Sequence, residues 1–178
     1  MPRYKIIIQY DGLSFSGWQL QKNRKTVQGE IENALKVISR SKLRIPVHGS
    51  GRTDSGVHAY GQVAHFDLDT KLDSSELCNA INSNTAKECK IMSVVEADNG
   101  FESRFDARKR WYRYQVYKGS SILYRNQAWL INDIDVNLLK SVSKIILGEH
   151  DFLSFSKYRA DQKNTRSIIF ESNWQDNE

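Results

Sequence analysis

The sequence is poor in the residues that stitch small secreted domains together: its 178 residues include two cysteines, Cys78 and Cys89, and two prolines. A single cysteine pair cannot build a disulfide framework, and this spacing matches no zinc or redox motif, so both read as reduced thiols. No apolar run approaches the roughly 20 residues of a bilayer span, and Met1-Pro2-Arg3-Tyr4-Lys5 leads into a short alternating segment rather than a signal-peptide core. A cytoplasmic chain with no membrane partner is expected. With 39% hydrophobic and 26% charged residues the composition is not that of a disordered chain. The length admits one ordinary domain or two small ones, which excludes a peptide hormone or a large multidomain machine.

What the sequence does have is a modest excess of positive charge. Twenty-six Lys and Arg against 21 Asp and Glu leave a net charge of +5, a balance that suits a polyanionic partner. The cations keep particular company: Lys22-Asn23-Arg24-Lys25 precedes a helical pattern, and in Arg104-Phe105-Asp106-Ala107-Arg108-Lys109-Arg110-Trp111-Tyr112-Arg113-Tyr114 they interleave with aromatics. Phosphate contact with base stacking calls for that mixture. The solvated face of a basic strand would carry the same residues, and both readings stand at this level.

Periodicity predicts a strand over 3–10, with Tyr4, Ile6, Ile8 and Tyr10 on one face, and a helix from the N-cap Thr26 to about Arg40. Further strands are predicted at 43–48, 61–68 and 89–96, with a second helix starting at a capping box formed by Asp73 and Glu76. The resulting β-α-β-β-α-β order is that of an α+β, ferredoxin-like unit: an antiparallel sheet with both helices on one face. A strand at 109–117, a helix at 135–147 stopped by Gly148, and a strand at 165–174 give half of a second such unit. We therefore expect an N-terminal subdomain over 1–98 and an incomplete second one over 99–178.

The densest chemistry lies between the second and third strands, where glycines at 49, 51, 56 and 61 frame Arg52, Thr53, Asp54, Ser55 and His58. Asp54-Ser55-Gly56 fits a tight turn with no further role. On pattern alone the turn is the stronger reading, ahead of a presented carboxylate. His48, His58 and His65 share no helical face, Asp67 and Asp69 lack the rest of a calcium loop, and no Gly-Lys-Ser/Thr ends the glycine run, so metal and phosphate-loop readings are poor. A carboxylate acting without metal remains, since aspartate can serve as a covalent nucleophile. His58 and His65 read as structural hydrogen-bonding groups, Trp18 and Gln19 as anchors of the first loop, and Trp111 as packing.

Gly51-Arg52-Thr53-Asp54-Ser55-Gly56-Val57-His58-Ala59, followed by Gly61-Gln62-Val63-Ala64-His65-Phe66, closely resembles the signature of the tRNA pseudouridine synthase A family. The likeness extends to Tyr10-Asp11-Gly12, Phe15-Ser16-Gly17-Trp18-Gln19, Thr26-Val27-Gln28, Phe105-Asp106-Ala107-Arg108, Tyr112-Arg113-Tyr114 and the stretch from Leu147 to Phe155. The resemblance implies a pseudouridine synthase fold and an isomerase that converts uridine to pseudouridine in the anticodon stem-loop of tRNA with no cofactor and no metal. It implies Asp54 as the catalytic aspartate, Arg52 as the cation that helps expel the target nucleotide and pairs with the aspartate, and Tyr112 as the ring that stacks on the uracil. Strand alternation would turn Tyr112 toward the cleft. Lys22, Arg24, Lys25, Arg104 and Arg108 are candidate phosphate contacts, and a homodimer is expected as in the family. Members of the family continue past the point matching Glu178, so the resemblance is to a chain lacking the C-terminal part. A non-catalytic RNA-binding relative is the alternative reading.

Overall fold

Alternation along β1 (Arg3–Tyr10) decides where the first core sits: Tyr4, Ile6, Ile8 and Tyr10 are buried, while Arg3, Lys5, Ile7 and Gln9 face the other way. The computed structural model describes residues 1–156 and 164–176, and it divides into two units, Met1–Tyr112 and Arg113–Glu178.

In the first unit β1 is central to a four-stranded antiparallel sheet ordered β2-β3-β1-β4, with β2 (His48–Gly49), β3 (Ala59–Asp67) and β4 (Cys89–Ala97). The buried side chains of β1, Ala64 and Phe66 of β3, and Cys89, Ile91 and Val94 of β4 form one cluster with the apolar stripes of α1 (Val27–Ser39) and α2 (Ser74–Ser83). From α1 come Val27, Ile31, Ala34 and Leu35, and from α2 Leu77 and Ile81. Each of the Val, Leu, Ile and Phe side chains among them stabilises the unit by about 1.5–3 kcal/mol if fully buried. Burial pushes the Cys89 thiol up to about 12, and both cysteines are free.

The helices start where their caps dictate. Thr26 Oγ1 accepts from Gly29 N at 3.2 Å, and Arg40, with φ +53, ends α1 in a left-handed turn. At α2 the capping box is complete: Asp73 Oδ1 accepts from Ser75 N and Glu76 N, each at 2.8 Å, and Glu76 Oε2 accepts from Asp73 N at 2.9 Å.

The second strand is much shorter than the predicted 43–48. Pro46 has no N–H to give a ladder, and Val47 N donates instead to Glu32 Oε1 at 3.0 Å. Glu32 is a buried carboxylate on α1 that also accepts from Arg44 Nε at 2.6 Å, Arg44 Nη2 at 2.7 Å and Gln28 Nε2 at 3.0 Å. Removing it strands two buried donors, whereas the half-exposed Arg44 returns to water. Glu32→Ala should therefore lower stability by about 2 kcal/mol, read as a fall in urea midpoint at unchanged slope.

The second unit departs further from its sequence pattern. Only β5 (Val116–Lys118) forms within the predicted 109–117 strand, pairing in parallel with β6 (Trp129–Ile131), which periodicity missed. Residues 107–115 are in no helix or strand, and a period-two pattern makes a strand only where a neighbouring edge takes its backbone groups. The helix α3 (Val136–Ile145) is capped by Asp135, whose side chain accepts from Leu138 N at 2.9 Å. Gly148, at φ +93, opens β7 (Gly148–Asp151), which pairs antiparallel with β8 (Arg166–Ile169). The predicted 165–174 strand is cut to four residues because β7 offers only four partners.

Candidate active site

The loop between β2 and β3 is fastened on both sides. On one, Ser50 N donates to Val63 O at 2.8 Å, Ser50 Oγ to Gln62 Oε1 at 2.8 Å, and Gln62 Nε2 to Gly51 O at 2.6 Å. On the other lies the segment after β1. Trp18 N donates to Thr53 O at 3.0 Å, Gly56 N and Ser55 Oγ both donate to Phe15 O, and the Tyr10 hydroxyl meets Thr53 Oγ1 at 2.9 Å. His58 Nδ1 lies 3.1 Å from Asp11 Oδ1, the same oxygen that accepts from Leu13 N. Trp18 is buried with its ring against Gly49, so its expected anchoring role holds.

Between these fastenings the chain turns. Val57 N donates to Asp54 O at 3.3 Å and Gly56 takes φ +80, so Asp54-Ser55-Gly56-Val57 is a turn. The turn and the presented carboxylate are one object: Asp54 is exposed, and among the described residues its carboxylate accepts no hydrogen bond. Arg52 is exposed on the same loop, but no ion pair joins it to Asp54, contrary to the pairing the resemblance implied.

A second segment reaches this loop from beyond β4. Arg3, held by Asp67 at 2.7 and 2.9 Å, donates from Nη1 to Phe101 O at 2.8 Å. Ser103 is buried; its Oγ donates to His48 O at 2.6 Å and its N–H to His65 Nδ1 at 3.2 Å. His65 is itself buried, with Nε2 3.6 Å from Glu102 Oε2. Burial holds the His65 pKa below its usual value, with Arg3 and His48 pulling the same way and Glu102 and Asp67 opposing.

That depression has a sign. Below about pH 6.5 the unfolded imidazole takes up a proton that the folded one refuses, so the unfolded state binds more protons and stability falls. The contribution is present above that pH and is lost toward the lower folded value. Thermal melts from about pH 8 to pH 5 should show this loss, and His65→Gln, which does not titrate, should flatten it.

From Phe105 onward the segment carries exposed rings: Phe105 (79% exposed), Trp111 (73%) and Tyr112 (74%) lie in solvent. Trp111 is thus not packing, as the sequence had suggested, and with no strand over 107–115 the alternation argument for Tyr112 does not apply. Large exposed aromatics grouped in one stretch mark an interaction surface. Arg110 reaches back, donating from Nη2 to Ser50 O at 2.8 Å and Arg104 O at 3.4 Å. Sequence reading missed Arg110, because a bond across 60 positions leaves no local signal.

Of the candidate phosphate contacts, Lys22, Arg24, Lys25, Arg104 and Arg108 are all exposed. Arg24 and Lys25 line an open groove of about 460 Å³ beside α1 with Lys36, Lys42 and Arg44. Lys25 is partly engaged, 3.6 Å from Glu88 and over the Phe15 ring, and Arg104 lies over Phe105. The three cations lining the groove beyond the candidates, on the outward face of α1 and the loop after it, were not singled out in the sequence. Among the described residues no cluster of His, Cys, Asp and Glu could hold a metal ion, and no helix is long and apolar enough to cross a membrane.

Residues 6–106 match the tRNA pseudouridine synthase family. The chain is 39% identical over 175 residues to tRNA pseudouridine synthase A of Bacillus subtilis, covering 97% of this chain and 71% of that protein. It is 39% identical over 173 residues to the tRNA pseudouridine synthase A of Pseudothermotoga lettingae, and 43% identical over 173 residues to that of Ehrlichia chaffeensis. Those matches cover 96% and 94% of this chain, and 70% and 69% of the two proteins. The chain belongs to the tRNA pseudouridine synthase family.

Proposed function

We propose that the chain isomerises uridine to pseudouridine in the anticodon stem-loop of tRNA, with Asp54 as the catalytic carboxylate. The observation that carries this reading is the doubly fastened loop, which spends its backbone groups on the frame and leaves the Asp54 carboxylate exposed beside Arg52. In the reaction the bond from uracil N1 to the ribose breaks, the uracil turns, a bond forms from C5 to the same ribose carbon, and the C5 proton is lost as N1 gains one. Atoms balance without an oxidant. An aspartate can act as the nucleophile or as the group that moves the proton.

A uridine must leave its stack before it reaches the carboxylate, at a cost of a few kcal/mol. Tyr112 offers the aromatic face and Arg52 the cation that offset that cost. Lys22, Arg24, Lys25, Arg104 and Arg108 supply phosphate contacts. The strand order β2-β3-β1-β4, with both helices in one core, supports reading the sheet as a ferredoxin-like unit. Residues 1–98 then form the subdomain carrying the catalytic loop and 99–178 part of a second one, and the working assembly is a homodimer.

The test is release of tritium from anticodon stem-loop RNA labelled at uridine C5. Release at a rate proportional to enzyme supports the reading; binding without release replaces it with a non-catalytic RNA-binding relative. Light scattering at twice the chain mass supports the dimer, and a monomeric mass overturns it.

A further inference from the structure

We infer that Arg110 is a positioning residue that ties the segment bearing Tyr112 to the loop bearing Arg52 and Asp54. The inference rests on the functional reading above. It starts from a mechanical problem: the buried anchors of the segment stand at its beginning. Phe101 is held by Arg3, and Ser103 is buried between His48 and His65. From Ala107 to Tyr112 there is no helix or strand, and the aromatic side chains Trp111 and Tyr112 stand in solvent. A stretch without a ladder and with most of its surface in water should fray.

Arg110 counters that. One nitrogen, Nη2, donates to Ser50 O at 2.8 Å, in the loop, and at 3.4 Å to Arg104 O, in the segment itself. The side chain crosses the loop at Gly51, where an added Cβ would lie 3.4 Å from Nε. Ser50 is fixed in turn by Val63 O and Gln62, so the acceptor belongs to the β3 frame and not to a loose end. Arg110 therefore stands two residues before Tyr112, and Ser50, which it contacts, stands two before Arg52. Its charge makes both hydrogen bonds stronger than neutral ones. Nη2 carries two N–H groups, so this one nitrogen can serve both carbonyls.

A cation on an exposed segment of an RNA enzyme has an obvious alternative use, a phosphate contact, and the two roles separate experimentally. A phosphate contact sets affinity. A positioning residue sets the rate in the bound complex, since small misplacements of reacting groups cost rate without costing binding.

The experiment compares Arg110→Ala and Arg110→Lys with the unsubstituted chain in the tritium-release assay, and follows Trp111 by fluorescence anisotropy in a Trp129→Phe, Trp174→Phe background, where the buried Trp18 adds a signal common to parent and variants. Both variants should lower kcat by about tenfold or more with KM for the RNA within about twofold. Both should also lower the Trp111 anisotropy in the absence of RNA, because lysine keeps the charge but ends one bond short of the Nη2 position. A raised KM with kcat intact, rescued by Arg110→Lys, would show a phosphate contact and overturn the proposal, as would unchanged anisotropy. If the unsubstituted chain binds RNA and releases no tritium, the functional reading fails, while the anisotropy still decides whether Arg110 holds the segment.

Discussion

Asp54→Ala and Asp54→Asn should each reduce tritium release by at least about 10³-fold, the scale expected when the group that attacks or moves a proton is removed. The same two variants should be nearly as stable as the parent. The Asp54 carboxylate is exposed and accepts no hydrogen bond among the described residues, and what the turn takes from this position is the backbone carbonyl, which Val57 N reaches in any variant. Surface changes away from caps and packing cost within about 0.5 kcal/mol. Asparagine also keeps the shape and turn preference of aspartate, so a loss shared by both variants is a loss of charge. RNA affinity should hold within a few fold or rise slightly, since a negative charge facing phosphates has been removed. An Asp54→Asn chain that keeps a tenth of parental activity would remove Asp54 from the chemistry. A chain that loses activity together with its melting temperature would mean that the carboxylate supports the loop.

The parts of this molecule that could be read from sequence are those set by local physics. Thr26 and Asp73 begin α1 and α2 because each offers a side-chain acceptor to backbone donors two or three residues on. The alternation of β1 survives because its even-numbered side chains have a core to enter. Failures occur where the outcome depends on a distant partner. Of the strand predicted over 109–117, residues 109–115 are in none, since no strand among the described residues pairs with them, and β2 is short because Pro46 and Glu32 together divert the backbone of Val47. At the site, the glycines, Asp54 and Arg52 were visible as a crowded loop, whereas the frame that seats it was not. Tyr10 meeting Thr53, Asp11 meeting His58 and Arg110 meeting Ser50 span 43, 47 and 60 positions, and no periodicity records them.

Gly17→Ala should be far more damaging than the same change at Gly56 within the turn itself. Gly17 takes φ +95, and an added Cβ would lie 2.6 Å from Thr53 O, 3.2 Å from the Asp54 carbonyl carbon and 3.3 Å from Ser55 N. All three are backbone atoms, so relief requires the loop to move away from the segment after β1, breaking the bond from Trp18 N to Thr53 O. Gly56, at φ +80, also occupies the left-handed region, but its Cβ would meet nothing within 4 Å. Gly56→Ala therefore carries only the backbone strain of about 1–2 kcal/mol, while Gly17→Ala adds the collision and should reach about 3 kcal/mol or more. Activity separates the two further. A displaced Thr53-Asp54 peptide moves the carboxylate relative to the bound uridine, and shifts of about 1 Å at a reacting group cost about 10²-fold. Gly17→Ala should lose at least that much in kcat at temperatures where the variant is still folded, and Gly56→Ala should lose less. Equal losses in the two variants, by melting and by tritium release, would mean that the left-handed turn alone governs the loop and that its seat against Gly17 does not.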